Sequence, residues 1–184
     1  MTTPPKLPTQ SEGQLKRRVL ALARETGVTE KRLRDWIGYT AIAAALGDAN
    51  NSWIIKGGVA LEMRRLGAAR ATRDLDLIFN ATTEDLVATI EESLKRPYGK
   101  FTFRRSGNPT HLREANTWRI DVAVRFNGSD WTSVSVDLTP RESFGVEIEW
   151  VDALEMQNRF GVQGPAQLPC LSLCAFTSHR SCMA

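Results

Sequence analysis

The sequence predicts an α+β fold in which a small helical N-terminal part packs on a mixed β-sheet. Two observations carry this prediction. Apolar residues recur with helical spacing through most of the first half of the chain. After about residue 100 they alternate with polar residues, which is typical of half-buried strands. Helices that precede a run of strands, rather than alternate with them, favour an α+β class over an α/β class.

The chain has 184 residues, which suits one domain. We expect a disordered, proline-rich tail over residues 1–13, a single domain over residues 14–173, and an atypical end over residues 174–184. The formal net charge of +3 gives no strong electrostatic signal by itself. The cysteines lie near the C-terminal end without zinc-site spacing, and no secretory leader or membrane-spanning run is evident. These features favour a cytoplasmic protein.

Three helices and two strands are predicted in the first half. The first helix runs from Gln14 to about Glu25 and stops at Gly27, and Thr29 caps a second helix that ends at Gly47. A short strand over 53–55, a helix over 59–66 and a strand over 72–79 follow.

The second half is predicted to begin with one helix and continue as strands. Thr82 or Thr83 caps a helix that continues to about Lys95, before Pro97. The candidate strands are 100–105, 117–126, 132–138 and 146–150, with a hairpin loop over 127–130.

Two aspartates stand one residue apart in the strand over 72–79. Side chains alternate faces along a strand, so Asp74 and Asp76 share one face while Leu75 and Leu77 enter the core. Two carboxylates this close repel each other, and burial strengthens the repulsion. Either a divalent cation compensates them, or nearby arginines do, or they are solvated at a strand edge. The candidate arginines are Arg64, Arg65, Arg70 and Arg73.

A glycine pair precedes this strand. Lys56-Gly57-Gly58 stands between a strand and a helix, where glycines let backbone N–H groups approach a phosphate. A phosphate cradle and an aspartate pair at neighbouring strand ends are the arrangement that nucleotidyl transfer with two metal ions requires.

The segment KGGVALEMRRLGAARATRDLDL resembles the AbiEii/AbiGii toxin nucleotidyltransferases, which belong to the DNA-polymerase-β-like superfamily. The resemblance covers roughly residues 20 to 173. It implies a polymerase-β-like fold and a magnesium-dependent activity. It also implies that Gly57 and Gly58, with Arg73 and Lys56 beside them, hold the nucleotide, and that Asp74 and Asp76 bind Mg²⁺. Lys56 either steadies a phosphate or only flanks the motif.

The superfamily uses a third carboxylate on a neighbouring strand. Asp137 in VSVDLTP matches that position better than Asp121 in WRIDVAVRF, which is also explained as a partner of Arg119 or Arg125. The resemblance implies that Asp137 binds the catalytic metal and helps to deprotonate the attacking hydroxyl.

The sequence departs from the family pattern after its third carboxylate. The family continues with a helix that carries a lysine, whereas here LPCLSL is followed by CAFTSHRSCMA and no lysine follows Lys100. Arg159 or Arg180 could replace that lysine. A catalytically degenerate copy that binds nucleotide or antitoxin without transfer is therefore an alternative hypothesis.

The resemblance also implies partners. They are a nucleoside triphosphate, an acceptor that is RNA, commonly the 3′ end of tRNA, or a protein, and a cognate antitoxin. The basic stretch formed by Arg64, Arg65, Arg70 and Arg73, together with Arg104 and Arg105, either contacts RNA phosphates or balances the charge of the aspartates. A basic RNA-binding domain without transferase activity is the second alternative.

Overall fold

The computed structural model describes residues 11–47, 53–64, 72–141 and 147–172, and of residues 154–156 only the backbone. Most of the expected tail and the whole of the atypical end lie outside these ranges. Helix α1, Glu12–Thr26, begins earlier than predicted because Ser11 and Gln14 form a capping box. It ends at Gly27, which adopts φ 72° as predicted for the stop.

The remaining elements form one sheet with helices beside it. Helix α2, Glu30–Ala45, begins at the predicted cap Thr29. The elements that follow are β1 Trp53–Lys56, α3 Gly57–Arg64, β2 Asp74–Phe79, α4 Leu86–Leu94, β3 Phe101–Leu112, β4 Thr117–Phe126, β5 Ser129–Pro140, β6 Ile148–Asp152, α5 Leu154–Phe160 and β7 Gln167–Leu171.

The sheet has seven strands in the order β3-β4-β5-β2-β1-β7-β6. The β2/β5 and β1/β7 pairs are parallel and the other pairs are antiparallel. The sheet is therefore mixed, and the predicted α+β class is confirmed.

Helix α2 packs on the apolar face of β5. A Cβ atom on Gly38 would lie 2.8 Å from Cγ2 of Thr132 and 3.2 Å from a methyl group of Val134, so the glycine permits the close approach. Val134, Val136 and Leu138 are buried on this face, as the alternation predicted. The opposite face of β5 carries the polar residues of the site described below.

Charged side chains buried between the helices and the sheet are paired. Asp35 on α2 accepts a hydrogen bond of 2.5 Å from the hydroxyl of Thr132 and one of 2.6 Å from Nζ of Lys31. Glu62 on α3 accepts one of 2.5 Å from Nε of Arg32. These bonds replace the water that burial removes from the carboxylates.

Several predicted element boundaries are wrong. Helix α4 has Asp85 at its N-cap, because the Thr82 hydroxyl donates to the Asp85 carboxylate instead of accepting a helix N–H. Strand β3 continues to Leu112 past a register shift between Ser106 and Thr110. The alternation analysis also missed α5 and β7. No helix in the part of the chain described here is long and apolar enough to cross a membrane.

Candidate active site

A row of four charged residues crosses the middle of the sheet. Strand register pairs Lys56 on β1 with Asp76 on β2, Asp76 with Asp137 on β5, and Asp137 with Arg119 on β4. Residues in register across neighbouring strands project from the same face. Two acidic side chains therefore stand side by side, flanked by a lysine on one side and an arginine on the other.

Asp74 joins the row from the same face of β2. Burial alternates along this strand, with Leu75 and Leu77 fully buried and both aspartates partly exposed. The sequence prediction that the two carboxylates share a face is confirmed.

The glycine pair lies against this row. Gly57 has φ 67°, and a Cβ atom there would lie 2.2 Å from Oδ2 of Asp76. A Cβ atom on Gly58 would lie 2.7 Å from Cβ of Thr72. Both residues open helix α3 rather than form a separate turn before it. Glycine is required here because the backbone passes too close to Asp76 for any side chain.

Arg119 holds the third carboxylate. Its Nε and Nη2 donate to the two carboxylate oxygens of Asp137, at 2.7 and 2.8 Å, and Nη2 lies 3.5 Å from Oδ2 of Asp74. The bond to Asp137 raises the pKa of Arg119 above its already high value. The guanidinium thus reaches from β4 across β5 to β2. Sequence reasoning treated Arg119 only as a partner of Asp121 and missed this role.

Asp76 is the least compensated member of the row. Burial, together with the negative charges of Asp137 and Asp74, raises its pKa to about 6 against the attraction of Lys56 and Arg119. Among the described residues no ion pair ends on Asp76, since Arg119 is used by Asp137 and Asp74. A cation placed beside Asp76 would relieve this repulsion.

Lys56 is held at the other side of the row. Its Nζ donates to the Thr139 hydroxyl at 2.9 Å, and Thr139 lies 3.1 Å from the Thr117 hydroxyl. These contacts fix the ammonium on the polar face near Asp76 rather than leave it free in solvent.

The sequence suggested four nearby arginines as partners of the aspartates. The two that lie in the described part of the chain do not pair with Asp74 or Asp76. Arg64 bonds to Glu149 and to two backbone carbonyls, and Arg73 is exposed. Arg65 and Arg70 lie outside the described residues. The compensating arginine is Arg119, which comes from a distant strand.

Two other candidates have ordinary structural surroundings. Asp121 is exposed and accepts a hydrogen bond of 2.5 Å from the Ser135 hydroxyl, rather than pairing with Arg125, which bonds Asp130. Arg105 pairs with Glu91, whereas Arg104 is exposed.

The carboxylates suit a magnesium ion that is completed by its substrate. No three acidic, histidine or cysteine side chains of the described ranges lie close enough together to hold a metal between them. Magnesium is commonly bound by one or two carboxylates with substrate phosphates and water as its other ligands. Asp74 and Asp76, beside a backbone stripped of side chains at Gly57, fit that donor set.

Comparisons with protein families and with solved structures both match nucleotidyltransferase toxins. The family model described as nucleotidyl transferase AbiEii toxin, type IV toxin–antitoxin system, matches residues 41–176. The structure is similar to MenT4, a nucleotidyltransferase toxin from Mycobacterium tuberculosis H37Rv, with a TM-score of 0.59 at 21% identity. The match covers 93% of this chain and 59% of the MenT4 chain. A search of curated proteins found no match.

Proposed function

Because the chain belongs to the AbiEii family of nucleotidyl transferase toxins, we propose that it transfers a nucleotide from a nucleoside triphosphate to RNA or protein with the help of Mg²⁺. The family makes the chain a member of a toxin–antitoxin system, and the fold is that of a nucleotidyltransferase toxin. The chain spans 59% of the length of MenT4, so the substrates and the partners remain part of the proposal.

The observation that carries the proposal is the contact between Gly57 and Asp76. It joins a backbone segment without side chains to a half-buried carboxylate whose pKa is raised to about 6. A repelled, half-buried carboxylate costs stability, and phosphoryl transfer needs a cation at such a position to offset the charge of the phosphates.

Each residue of the row then has a role. Asp74 and Asp76 would hold the metal ion, which supplies charge neutralisation to the triphosphate. The backbone at Gly57 and Gly58 would approach the phosphates, with Lys56 and Arg73 as cations near them. The proton of the attacking hydroxyl would be accepted at the carboxylate of Asp137, the role that the family resemblance gives to this position.

The reaction balances without any further reagent. The hydroxyl oxygen of the acceptor forms a bond to the α-phosphorus, and the bond from that phosphorus to the bridging oxygen breaks. Pyrophosphate leaves, and the hydroxyl proton is released. We propose RNA, in particular the 3′ end of tRNA, as the acceptor, and a cytoplasmic location where both substrates occur. The toxin–antitoxin family implies an antitoxin partner.

Incubation with each labelled nucleoside triphosphate, Mg²⁺ and total RNA tests the proposal. We expect label in RNA or in protein with the wild-type chain, and none with the Asp74→Ala/Asp76→Ala variant. The Asp121→Ala variant is the matched control, since it removes an exposed carboxylate from the same sheet face.

Other outcomes separate the alternatives. Thermal stabilisation by a nucleoside triphosphate without label in any acceptor would identify a degenerate, nucleotide-binding copy. RNA binding with a steep salt dependence, unchanged by Mg²⁺ and by loss of both aspartates, would identify a plain RNA-binding domain.

A further inference from the structure

We propose that Arg119 takes the place of a second divalent cation, so that the site binds a single metal ion on Asp74 and Asp76. This inference rests on the proposed function, because it concerns the metal requirement of the same site. It departs from the expectation that Asp137 binds the catalytic metal.

The first argument is the occupancy of Asp137. Both of its carboxylate oxygens accept hydrogen bonds from Arg119, at 2.7 and 2.8 Å. The side chain of Asp137 is only 12% exposed, against 41% for Asp74. A guanidinium matches a carboxylate with two parallel hydrogen bonds, which gives both strength and a fixed geometry. The carboxylate of Asp137 is therefore much less available to coordinate a second metal ion than the carboxylate of Asp74.

The second argument is position. In a two-metal site the ions lie about 3.5–4 Å apart and share carboxylates between them. The Arg119 guanidinium contacts both Asp137 and Asp74, with Nη2 3.5 Å from Oδ2 of Asp74. It thus stands between the two carboxylates that a bridging ion would have to join.

The third argument is charge. Asp74, Asp76 and Asp137 face two cations, Lys56 and Arg119, so one negative charge is left over for a bound ion to neutralise. Loss of Arg119 would leave a second charge uncompensated and would open both oxygens of Asp137. That is the condition under which carboxylates gather a second divalent ion.

The position of Arg119 is built into the fold. It lies opposite Asp137 in the β4/β5 register, and the register shift between Val124 and Arg125 determines that it faces the carboxylates. A one-residue change in register would move the side chain to the apolar face. Arg125 lies on the same face but pairs with Asp130 at 3.1 Å instead of with the carboxylates of the row.

Counting bound Mn²⁺ tests the inference without relying on activity. Free Mn²⁺ is titrated into the 184-residue chain, and binding is followed by electron paramagnetic resonance. We expect about one ion per chain for the wild type and for Arg125→Gln, and about two, with the spectrum of an exchange-coupled pair, for Arg119→Gln. Arg119→Lys keeps the charge and should bind about one ion, as the wild type does.

The outcomes separate this inference from the function on which it rests. About two ions on the wild type, or still one on Arg119→Gln, would overturn the role of Arg119 and leave the proposed transferase intact. No ion on the wild type, with the same spectrum for Asp74→Asn/Asp76→Asn, would remove the metal site itself and the proposed function with it. The wild-type count decides the question even if Arg119→Gln fails to fold.

Discussion

Asp35 on helix α2 and Asp76 on strand β2 are both carboxylates that the fold shields from water at least in part, yet their surroundings differ. Asp35 is 8% exposed and accepts hydrogen bonds from Thr132 and Lys31. Asp76 lies beside two further carboxylates, and burial raises its pKa to about 6. The protein satisfies the carboxylate that joins a helix to the sheet and leaves the other to be satisfied by something that binds.

The comparison indicates where in the fold an electrostatically unfavourable charge is retained. A buried polar group without partners costs stability, and such groups concentrate where function requires them. The row formed by Lys56, Asp76, Asp137 and Arg119 is therefore better explained by binding than by folding. The following predictions change one side of the comparison at a time, from the largest expected effect to the smallest.

The largest effect is expected on transfer itself. Asp76→Asn keeps the shape of the side chain but removes the charge that a cation would contact. We expect the rate of label transfer to fall by about 10²–10³-fold, the size of losing one major electrostatic contact to the reacting group. Asp121→Asn, exposed on the same face, should transfer at the wild-type rate in the same assay. Equal losses in the two variants would contradict a specific role for Asp76.

The next effect tests the contact between the glycine segment and the row. Gly57→Ala imposes a Cβ atom 2.2 Å from Oδ2 of Asp76 at φ 67°. Gly99→Ala is the matched control, since Gly99 has φ 57° but open space around its Cβ position. Each variant meets the backbone cost of about 1–2 kcal/mol for a left-handed residue.

Only the Gly57 variant also meets the clash with the carboxylate. We expect urea denaturation to show Gly57→Ala less stable than Gly99→Ala by about 2 kcal/mol or more, comparable with overpacking a well-filled site. Label transfer should be lost in Gly57→Ala and retained in Gly99→Ala. Indistinguishable variants would show that Asp76 moves aside freely, which would weaken the case for a fixed site.

How much of this site the sequence could predict is clear from individual residues. That Asp74 and Asp76 share a face follows from strand alternation alone, which requires no knowledge of the rest of the fold. The placement of Gly57 beside Asp76 also followed, because a strand, a helix and a second strand in succession bring their ends together. The roles assigned to these residues remain proposals.

Arg119 could not be predicted in the same way. A two-residue turn at Asn127-Gly128 pairs Arg125 with Asp130, and an unbroken ladder would place Trp118 opposite Asp137. One extra residue in β5, between Asp130 and Thr132, shifts the pairing and brings Arg119 there instead. A bulge has no reliable local signature, so the residue that compensates the aspartates was sought among nearby arginines and not across the hairpin.

The comparison between the two aspartates predicts stability changes of opposite sign. At pH 7.5, Asp76→Asn removes a disfavoured charge and should raise the free energy of unfolding by about 1–2 kcal/mol, less than the full pKa shift implies because the side chain is partly solvated. Asp35→Asn loses one of two hydrogen bonds and should lower it by about 1 kcal/mol. Urea denaturation without metal measures the free energy of unfolding of both variants. Changes of the same sign would contradict the distinction between a satisfied Asp35 and an uncompensated Asp76.

The smallest effect is the pH dependence of the stability that Asp76→Asn gains over the wild type. A carboxyl with a folded pKa of about 6, above its unfolded value, destabilises the fold when ionised, and the penalty is fully present above pH 6. As the pH falls through 6 towards the unfolded pKa near 4, Asp76 takes up a proton in the folded state and the penalty disappears. The stability difference between Asp76→Asn and the wild type should therefore shrink to a few tenths of a kcal/mol by about pH 4. Taking the difference cancels the contribution of carboxyl groups that lie far from Asp76, which the two proteins share. A gap that stays constant from pH 7.5 to 4 would mean that Asp76 is not the uncompensated member of the row, and that its carboxylate is as well satisfied as that of Asp35.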